Sequence, residues 1–474
     1  MPKLEIKQRP LLTRPESFQD VPSFIAEILA RRGVESQQEL ELKLKYLLAP
    51  SMKGLPEAIQ LIDAAIDAGQ KIVIVGDYDA DGATSTALML LALRDMGADV
   101  NYLVPDRFKY GYGLTPAIAD LAFASFTPDL LITVDNGISS HDGVKQAQDH
   151  GMQVIITDHH LTTKPTPAAE AVVNPNQLGC EFPSKALAGV GVAFYVLANL
   201  STHRKKLGKS STVITNYLDL VALGTYADVA SLDYNNRILV DAGLKRIQQH
   251  LCRPGISALL EIAGRDAATL KAQDLGFVLG PRINAAGRME TMDIGIECLL
   301  AKDLATAYPL AEQLNQLNVE RRQVEGKIKQ EALAELEKIQ LDEMELPAAL
   351  IMFEQHWHQG VIGIVAGRLK EQFHRPSIVF AADEDGIHIK GSARSIEGIH
   401  IRDAIERVAE QNPHIVSHFG GHAAAAGLTI KKAHFAEFKQ TFEQLIGSMD
   451  ESLFTATLWT DGELPASAFQ IDTV

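Results

Sequence analysis

The chain has 474 residues, 46% of them hydrophobic and 22% charged, with a formal net charge of −16; this length exceeds a single core and gives a prior of roughly three folding units. The acidic balance excludes coating of a polyanion by overall charge, so a nucleic acid would have to lie in a locally basic groove. The longest uncharged stretch, residues 186–202, carries glycines and an Asn and is too short to span a membrane, the N-terminus lacks a signal-peptide core, and Cys180, Cys252 and Cys298 are too scattered for a disulfide framework or zinc cluster. A cytoplasmic protein without a membrane segment is expected.

Residues 1–45 read as a helical lead-in, with the amphipathic segment PSFIAEILARRG ending at Gly33. From residue 46 to 303, apolar β-branched runs alternate with helical segments: KIVIVGD at 71–77, DLLITVDNG at 129–137 and QVIITD at 153–158. That alternation predicts a parallel sheet wrapped by helices, an α/β fold. Residues 304–345 form a long charged helical segment ended by Pro347, suited to connecting two lobes with a cleft between them. A smaller α/β unit follows over 346–449, and 450–474, including TATLWTDGEL, begin an element that does not complete.

The acids fall where those apolar runs end. Asp77 and Asp79 project to the same side of an extended segment. Asp135 ends the second run, Asp158-His159-His160 the third, and Asp228 closes the helical stretch YLDLVALGTYADV. A single Asp after a strand is ordinarily a turn former or helix cap. Three consecutive strand ends carrying DYD, DNG and DHH are not explained by turn chemistry. Ligands of open α/β sheets bind beyond the carboxyl ends of the strands. Carboxylates joined by imidazoles without thiolates select Mn²⁺ or Mg²⁺, and several converging acids call for compensating cations, two ions being consistent with phosphoester hydrolysis.

DYDADG at 77–82, VDNG at 134–137, DHH at 158–160 and ALGTYADV at 222–229 resemble the four motifs of the DHH phosphoesterases. VVNPN at 172–176, FPSKALAGVGVAF at 182–194, GPRINAAGR at 280–288 and FGGHAAAAG at 419–427 resemble the RecJ branch, and the similarity spans nearly the whole chain. The resemblance implies a DHH domain followed by a DHHA1 domain. It implies Asp77, Asp79, Asp135, His159 and Asp228 as metal ligands, with His160, Asp81 and His422 as catalytic candidates. One departure stands out: many DHH phosphatases carry a His four residues before the first Asp, where this chain has Val73. One ion would then have fewer protein ligands and bind more weakly.

The implied activity is 5′ to 3′ hydrolysis of single-stranded DNA to 5′-mononucleotides in repair and recombination. Single-strand-binding protein and a recombination helicase are the partners the family implies. Gly420, Gly421 and His422 are expected to offer backbone N–H groups on a turn, and Ser392 and Arg394 a hydroxyl and a guanidinium on another. Arg107 and Arg282 are placed by the resemblance near the terminal phosphate, with Arg288 a weaker candidate. Asn318 and Arg321, with Asn315 and Arg322, could line a groove along the connecting helix. Tyr110, Tyr112 and Phe108 are the candidate base contacts. RecJ-like proteins continue into an oligonucleotide-binding barrel, so 450–474 read as the start of a truncated or absent one. The rival readings are a phosphoesterase of short oligonucleotides or nucleotide phosphates, a non-catalytic binding module, and a purely structural α/β protein.

Overall fold

The computed structural model describes residues 4–19, 21–162, 164–343 and 346–469, without the side chains of 107, 108, 338–343 and 467. Two compact units divide the chain, one of Glu39–Val319 and one of Met1–Gln38 with Glu320–Val474. The N-terminal lead-in is helical over Ser23–Arg31 and turns at Gly33, whose φ of 76° suits a residue without a side chain. Ahead of that helix lies a strand, β1 (Leu4–Gln8), so the lead-in is not helical throughout.

The unit of Glu39–Val319 is built on strands β2 (Lys71–Gly76), β3 (Asp99–Leu103), β4 (Leu130–Val134), β5 (Gln153–Thr157) and β6 (Ala171–Val173). All pair in parallel in the order β3-β2-β4-β5-β6. Along β2, Ile72 and Ile74 join one buried cluster while Val73 and Val75 join another on the opposite face. Such a strand is apolar throughout, as expected when helices cover both faces of a sheet. The helix Ala80–Asp95 is buried on every face but its end, and Gly189–Lys206, which holds most of the uncharged stretch, is likewise a core helix. No helix among the described residues is long and apolar enough to cross a membrane. Cys180 and Cys298 are buried free thiols, consistent with packing.

One helix runs from Leu304 to Glu343, 40 residues with Pro309 in its first turns; at 1.5 Å per residue it is about 60 Å long. Its first part buries Ala307, Ala311, Leu314 and Leu317 in the core of the Glu39–Val319 unit, and the unit boundary falls inside the helix at Val319.

The second unit contains a sheet of β7 (Leu350–Phe353), β8 (Ser377–Ala382), β9 (His388–Arg394), β10 (Val416–Gly421) and β11 (Ala425–Lys431), ordered β10-β11-β9-β8-β7. Only β7 and β8 are parallel. Its core gathers Phe380, Ile389, Ile405, Phe438 and Phe442. Residues 391–394, expected on a tight turn, lie in β9, because Ile389, Gly391 and Ala393 alternate inward with Lys390, Ser392 and Arg394 outward. The stretch TATLWTDGEL contributes β12 (Ala456–Thr460), which pairs in parallel with β1 in register Leu4 to Ala456.

Candidate metal centre

The chain runs from β2 to β3 on one side of β2 and then returns to place β4 on the other. This change of direction leaves a crevice beyond the carboxyl ends of β2 and β4, the general position for ligands in open α/β sheets. Asp77 follows β2 there and Asp135 follows β4. His159 and His160 follow β5, and Asp228 caps the helix Leu218–Ala227.

The donor atoms converge. His159 Nε2 lies 3.0 Å from Asp135 Oδ1, 3.8 Å from Asp81 Oδ2 and 4.0 Å from Asp228 Oδ2. Asp77, Asp79 and Asp135 form one set with ligand atoms within 4.8 Å of one another; Asp81, His159 and Asp228 form a second, and Asp135, His159 and His160 a third that shares members with both. Asp135 Oδ1 is buried and makes no hydrogen bond of regular geometry among the described residues, with His159 Nε2 its near neighbour. Asp135 also has φ of +61°, a region unfavourable for a side-chain-bearing residue. A carboxylate oxygen so placed on a strained backbone, facing other acids, fits a divalent cation better than any structural role within the chain.

The charge balance points the same way. Burial, followed by the charges of Asp81, Asp79, Asp77 and Asp228, pushes Asp135 well above the carboxylate range. Burial and the neighbouring acids Asp81, Asp79 and Asp77 raise Asp228, while burial and Asp79 raise Asp81. The cluster resists carrying its full negative charge unless a positive charge enters it. Burial and the neighbouring His160 lower His159 to about 4, so it is neutral and able to ligate. His160 behaves differently. Burial opposes its charge, but its hydrogen bond to Asp158 and the charges of Asp158, Asp77 and Asp228 prevail and raise it to about 9.

Several residues hold the candidate ligands; Asp81, Asp158 and Tyr112 stand out in the sequence, whereas Asn174, Asn176, Asn284 and Gly189 do not. Asp158 accepts from the backbone N–H groups of Ile138, His159 and His160 and from His160 Nδ1 at 2.7 Å, fixing both the loop and the imidazole. On the far edge of that ring, Tyr112 Oη is 3.1 Å from Nε2. Asn176 donates to the His159 carbonyl and Asn174 to that of His160, which gives the NPN phrase its task. Asn284, within GPRINAAGR, accepts from the Ala80 N–H at 2.7 Å at the start of the Asp79-capped helix. Asp81 accepts from the N–H groups of Gly189 and Val190 at 2.6 and 2.9 Å, anchoring the helix Gly189–Lys206 by its N-terminus. A Cβ at Gly189 would lie 2.6 Å from Asp135 Oδ1. For Asn174, Asn176, Asn284 and Gly189 the only sequence signal is an Asn or Gly within the phrases NPN, GPRINAAGR and ALAGVGVAF.

The remaining candidates are dispersed. Arg282 bonds Asn315 and the Val278 carbonyl. Asn318 is 1% exposed, which removes it from the expected groove lining, and Arg321 is paired with Glu325 at 2.7 Å on its own helix. The side chains of Arg107 and Phe108 lie outside the described residues. In the second unit, Gly420, Gly427 and Ser392 stand opposite one another across β10, β11 and β9. Two missing side chains leave that face open beside Ser392 Oγ and the Arg394 guanidinium, which are 3.1 Å apart. Gly420 and Gly421 are strand residues rather than a turn cradle, and the His422 N–H donates to Ala425.

A family model described as the DHH family N-terminal domain matches residues 71–225, and one described as the DHHA1 domain matches 346–448. The single-stranded-DNA-specific exonuclease RecJ of Dickeya dadantii (strain 3937) is 48% identical over 478 residues, covering 99% of this chain and 82% of its own length. That of Escherichia coli (strain K12) is 47% identical over 471 residues, covering 98% and 81%. The crystal structure of RecJ in complex with Mn²⁺ from Thermus thermophilus superposes with a TM-score of 0.81 at 32% identity; the match covers 98% of this chain and 65% of that longer one. A second RecJ structure bound to manganese superposes at 0.72 with 34% identity, over 85% of this chain and 97% of that chain. With a parallel-sheet unit that gathers acids and histidines at its switch point, and a smaller mixed-sheet unit after it, the chain belongs to the RecJ family of DHH phosphoesterases.

Proposed function

We propose that the chain is a metal-dependent exonuclease that hydrolyses single-stranded DNA in the 5′ to 3′ direction and releases 5′-mononucleotides, with Mn²⁺ or Mg²⁺, two ions in all, as cofactor. The observation that carries this reading is the meeting of Asp77, Asp79, Asp135, His159 and Asp228 at one switch point. When bound there, a pair of ions supplies hydroxide at neutral pH and countercharge for the attacking and leaving oxygens of an in-line displacement. The chain's own residues do the positioning. His160, held between Asp158 and Tyr112, is a charged hydrogen-bond donor at the rim of the cluster, suited to a non-bridging phosphate oxygen. Asp81 fixes the helix whose first residue, Gly189, packs on Asp135.

Polarity requires a site for the end of the strand. Ser392 and Arg394, beside the glycine-paved face of β10 and β11, are the proposed clamp for a 5′ terminal phosphate, with His422, Arg282 and Arg107 as further phosphate contacts. Single-stranded DNA arises where duplex is opened, so a helicase of recombination and a single-strand-binding protein are the proposed suppliers of substrate, within the cytoplasm. A substitution tests the clamp. A charged hydrogen bond contributes about 1.5–3 kcal/mol, so Arg394→Ala should lower the rate on 5′-phosphorylated strands by about 10–100-fold and leave unphosphorylated strands much less affected. Equal losses on both substrates would remove Arg394 from the end pocket. In a length series of 5′-labelled strands, efficiency should hold or rise with length; preference for the shortest strands would favour a short-oligonucleotide hydrolase.

A further inference from the structure

A second group of metal-ligating side chains lies outside the centre described above, in the unit that carries β7 to β11. His414 sits in the loop between the helix Ile401–Gln411 and β10. His434 ends a short turn, Lys432–His434, after β11, and Glu437 follows in the first turn of the helix Phe435–Gly447. His414 Nε2 and His434 Nδ1 approach the same oxygen, Glu437 Oε2, at 3.2 and 3.6 Å. The two rings face each other edge to plane, with centroids 5.2 Å apart. One ligand atom from each of the three residues lies within 4.8 Å of the others, and the ion pairs of Glu437 among the described residues are with these two histidines.

We infer that His414, His434 and Glu437 form a surface site for a borderline divalent cation of the Zn²⁺ class, chemically distinct from the carboxylate-rich centre. The spacing supports this. Four donors about 2.0–2.1 Å from a tetrahedral ion lie about 3.3 Å from one another, and the two measured separations bracket that edge. The donor set supports it as well. Two imidazoles with one carboxylate suit Zn²⁺, Ni²⁺ or Co²⁺, whereas the hard ions Mg²⁺ and Mn²⁺ favour oxygen. Half-exposed side chains leave the fourth position to water and admit the ion from solvent. The helix N-terminus at Phe435 disfavours a cation, and the Glu437 carboxylate offsets it. Occupancy would tie the loop that feeds β10 to the last helix of the unit.

The test uses the full chain and Zn²⁺ as probe. In excess Mg²⁺, which occupies the acid-rich centre, calorimetric titration with Zn²⁺ should give a stoichiometry one ion higher for the wild type than for His414→Ala/His434→Ala, and Glu437→Gln should lose the same ion. With Mg²⁺ held in excess, adding Zn²⁺ should also raise the Tm of the wild type more than that of these variants, which keep the acid-rich centre, provided that wild type and variants unfold at similar temperatures in EDTA. Unchanged stoichiometry in both variants would overturn the site. So would a wild type whose Tm ignores Zn²⁺ while the variants unfold earlier in EDTA, since the three residues would then be a hydrogen-bond network only.

Discussion

Asp135 concentrates the features expected of a ligand: a left-handed backbone, a buried oxygen without a regular hydrogen bond beside the His159 imidazole, and a neighbouring glycine that leaves it room. Asp158 is its complement, a carboxylate whose oxygens are satisfied by three backbone N–H groups and an imidazole and which therefore orients rather than ligates. Outer partners of this kind typically contribute 10–100-fold to metal affinity or activity. Asp158→Asn should accordingly reduce nucleotide release by about 10–100-fold with the circular dichroism spectrum unchanged, and a wild-type rate would show that His160 needs no such anchor.

The same residues set a pH dependence. Asp135, Asp228 and His160 all bind protons more tightly in the metal-free fold than in the unfolded chain, Asp228 and His160 being raised to about 9. Their contribution to stability is present at low pH and is lost as pH rises through those folded values. His159, lowered to about 4, acts in the opposite sense, but only below its unfolded value of about 6.5. Between about pH 6.5 and 9 the metal-free fold should lose stability while bound ions neutralise the cluster. The rise in Tm on adding Mn²⁺ should therefore grow across that window, when followed by scanning fluorimetry at fixed ion concentration. A rise that is flat or shrinking with pH would contradict the charge balance.

At the scale of elements, β2, β4 and β5 were legible because runs such as KIVIVG and LLITV are apolar on both faces and end in acids. The helix Ser23–Arg31 was legible through its amphipathic pattern and the glycine, Gly33, that ends it. Elements fixed by distant partners were not. The strand β1 alternates Leu4 and Ile6 with charged residues, leaves every residue exposed and, among the described residues, pairs only with β12, far away in the sequence. Residues 391–394 read as a turn because glycine and serine are turn formers, yet β8 and β11 on either side make them a strand. The candidate metal ligands were legible because acids or histidines recur together at the ends of three apolar runs, while Asn284, Asn174, Asn176 and Gly189 act through neighbours that only the fold supplies. Gly189→Ala tests the last of these. Overpacking of this kind costs about 1–3 kcal/mol; the variant should unfold earlier in denaturant and bind Mn²⁺ more weakly, and unaltered values of both would show that the helix shifts freely away from Asp135.

For the whole molecule, a single 40-residue helix belongs to both compact units, its first 16 residues counted with the sheet unit that holds the metal centre and its remaining 24 with the unit that holds Ser392 and Arg394. The chemistry and the proposed Ser392–Arg394 clamp are thereby assigned to different units, which predicts that substitutions in them separate. Changes at Asp77 or Asp135 should abolish cleavage of every substrate, and Arg394→Ala should alter which ends are used. The most direct measurement follows a single-stranded oligonucleotide labelled at its 5′ phosphate in Mn²⁺, with the wild type, with Asp135→Ala and after chelation by EDTA. Labelled mononucleotide is expected as the first product of the wild type, with a rate at least about 10³-fold lower for Asp135→Ala or in EDTA, the scale expected when ion-based stabilisation of the transition state is removed. Undiminished hydrolysis in EDTA or by Asp135→Ala, or a ladder shortening from the 3′ end, would contradict it.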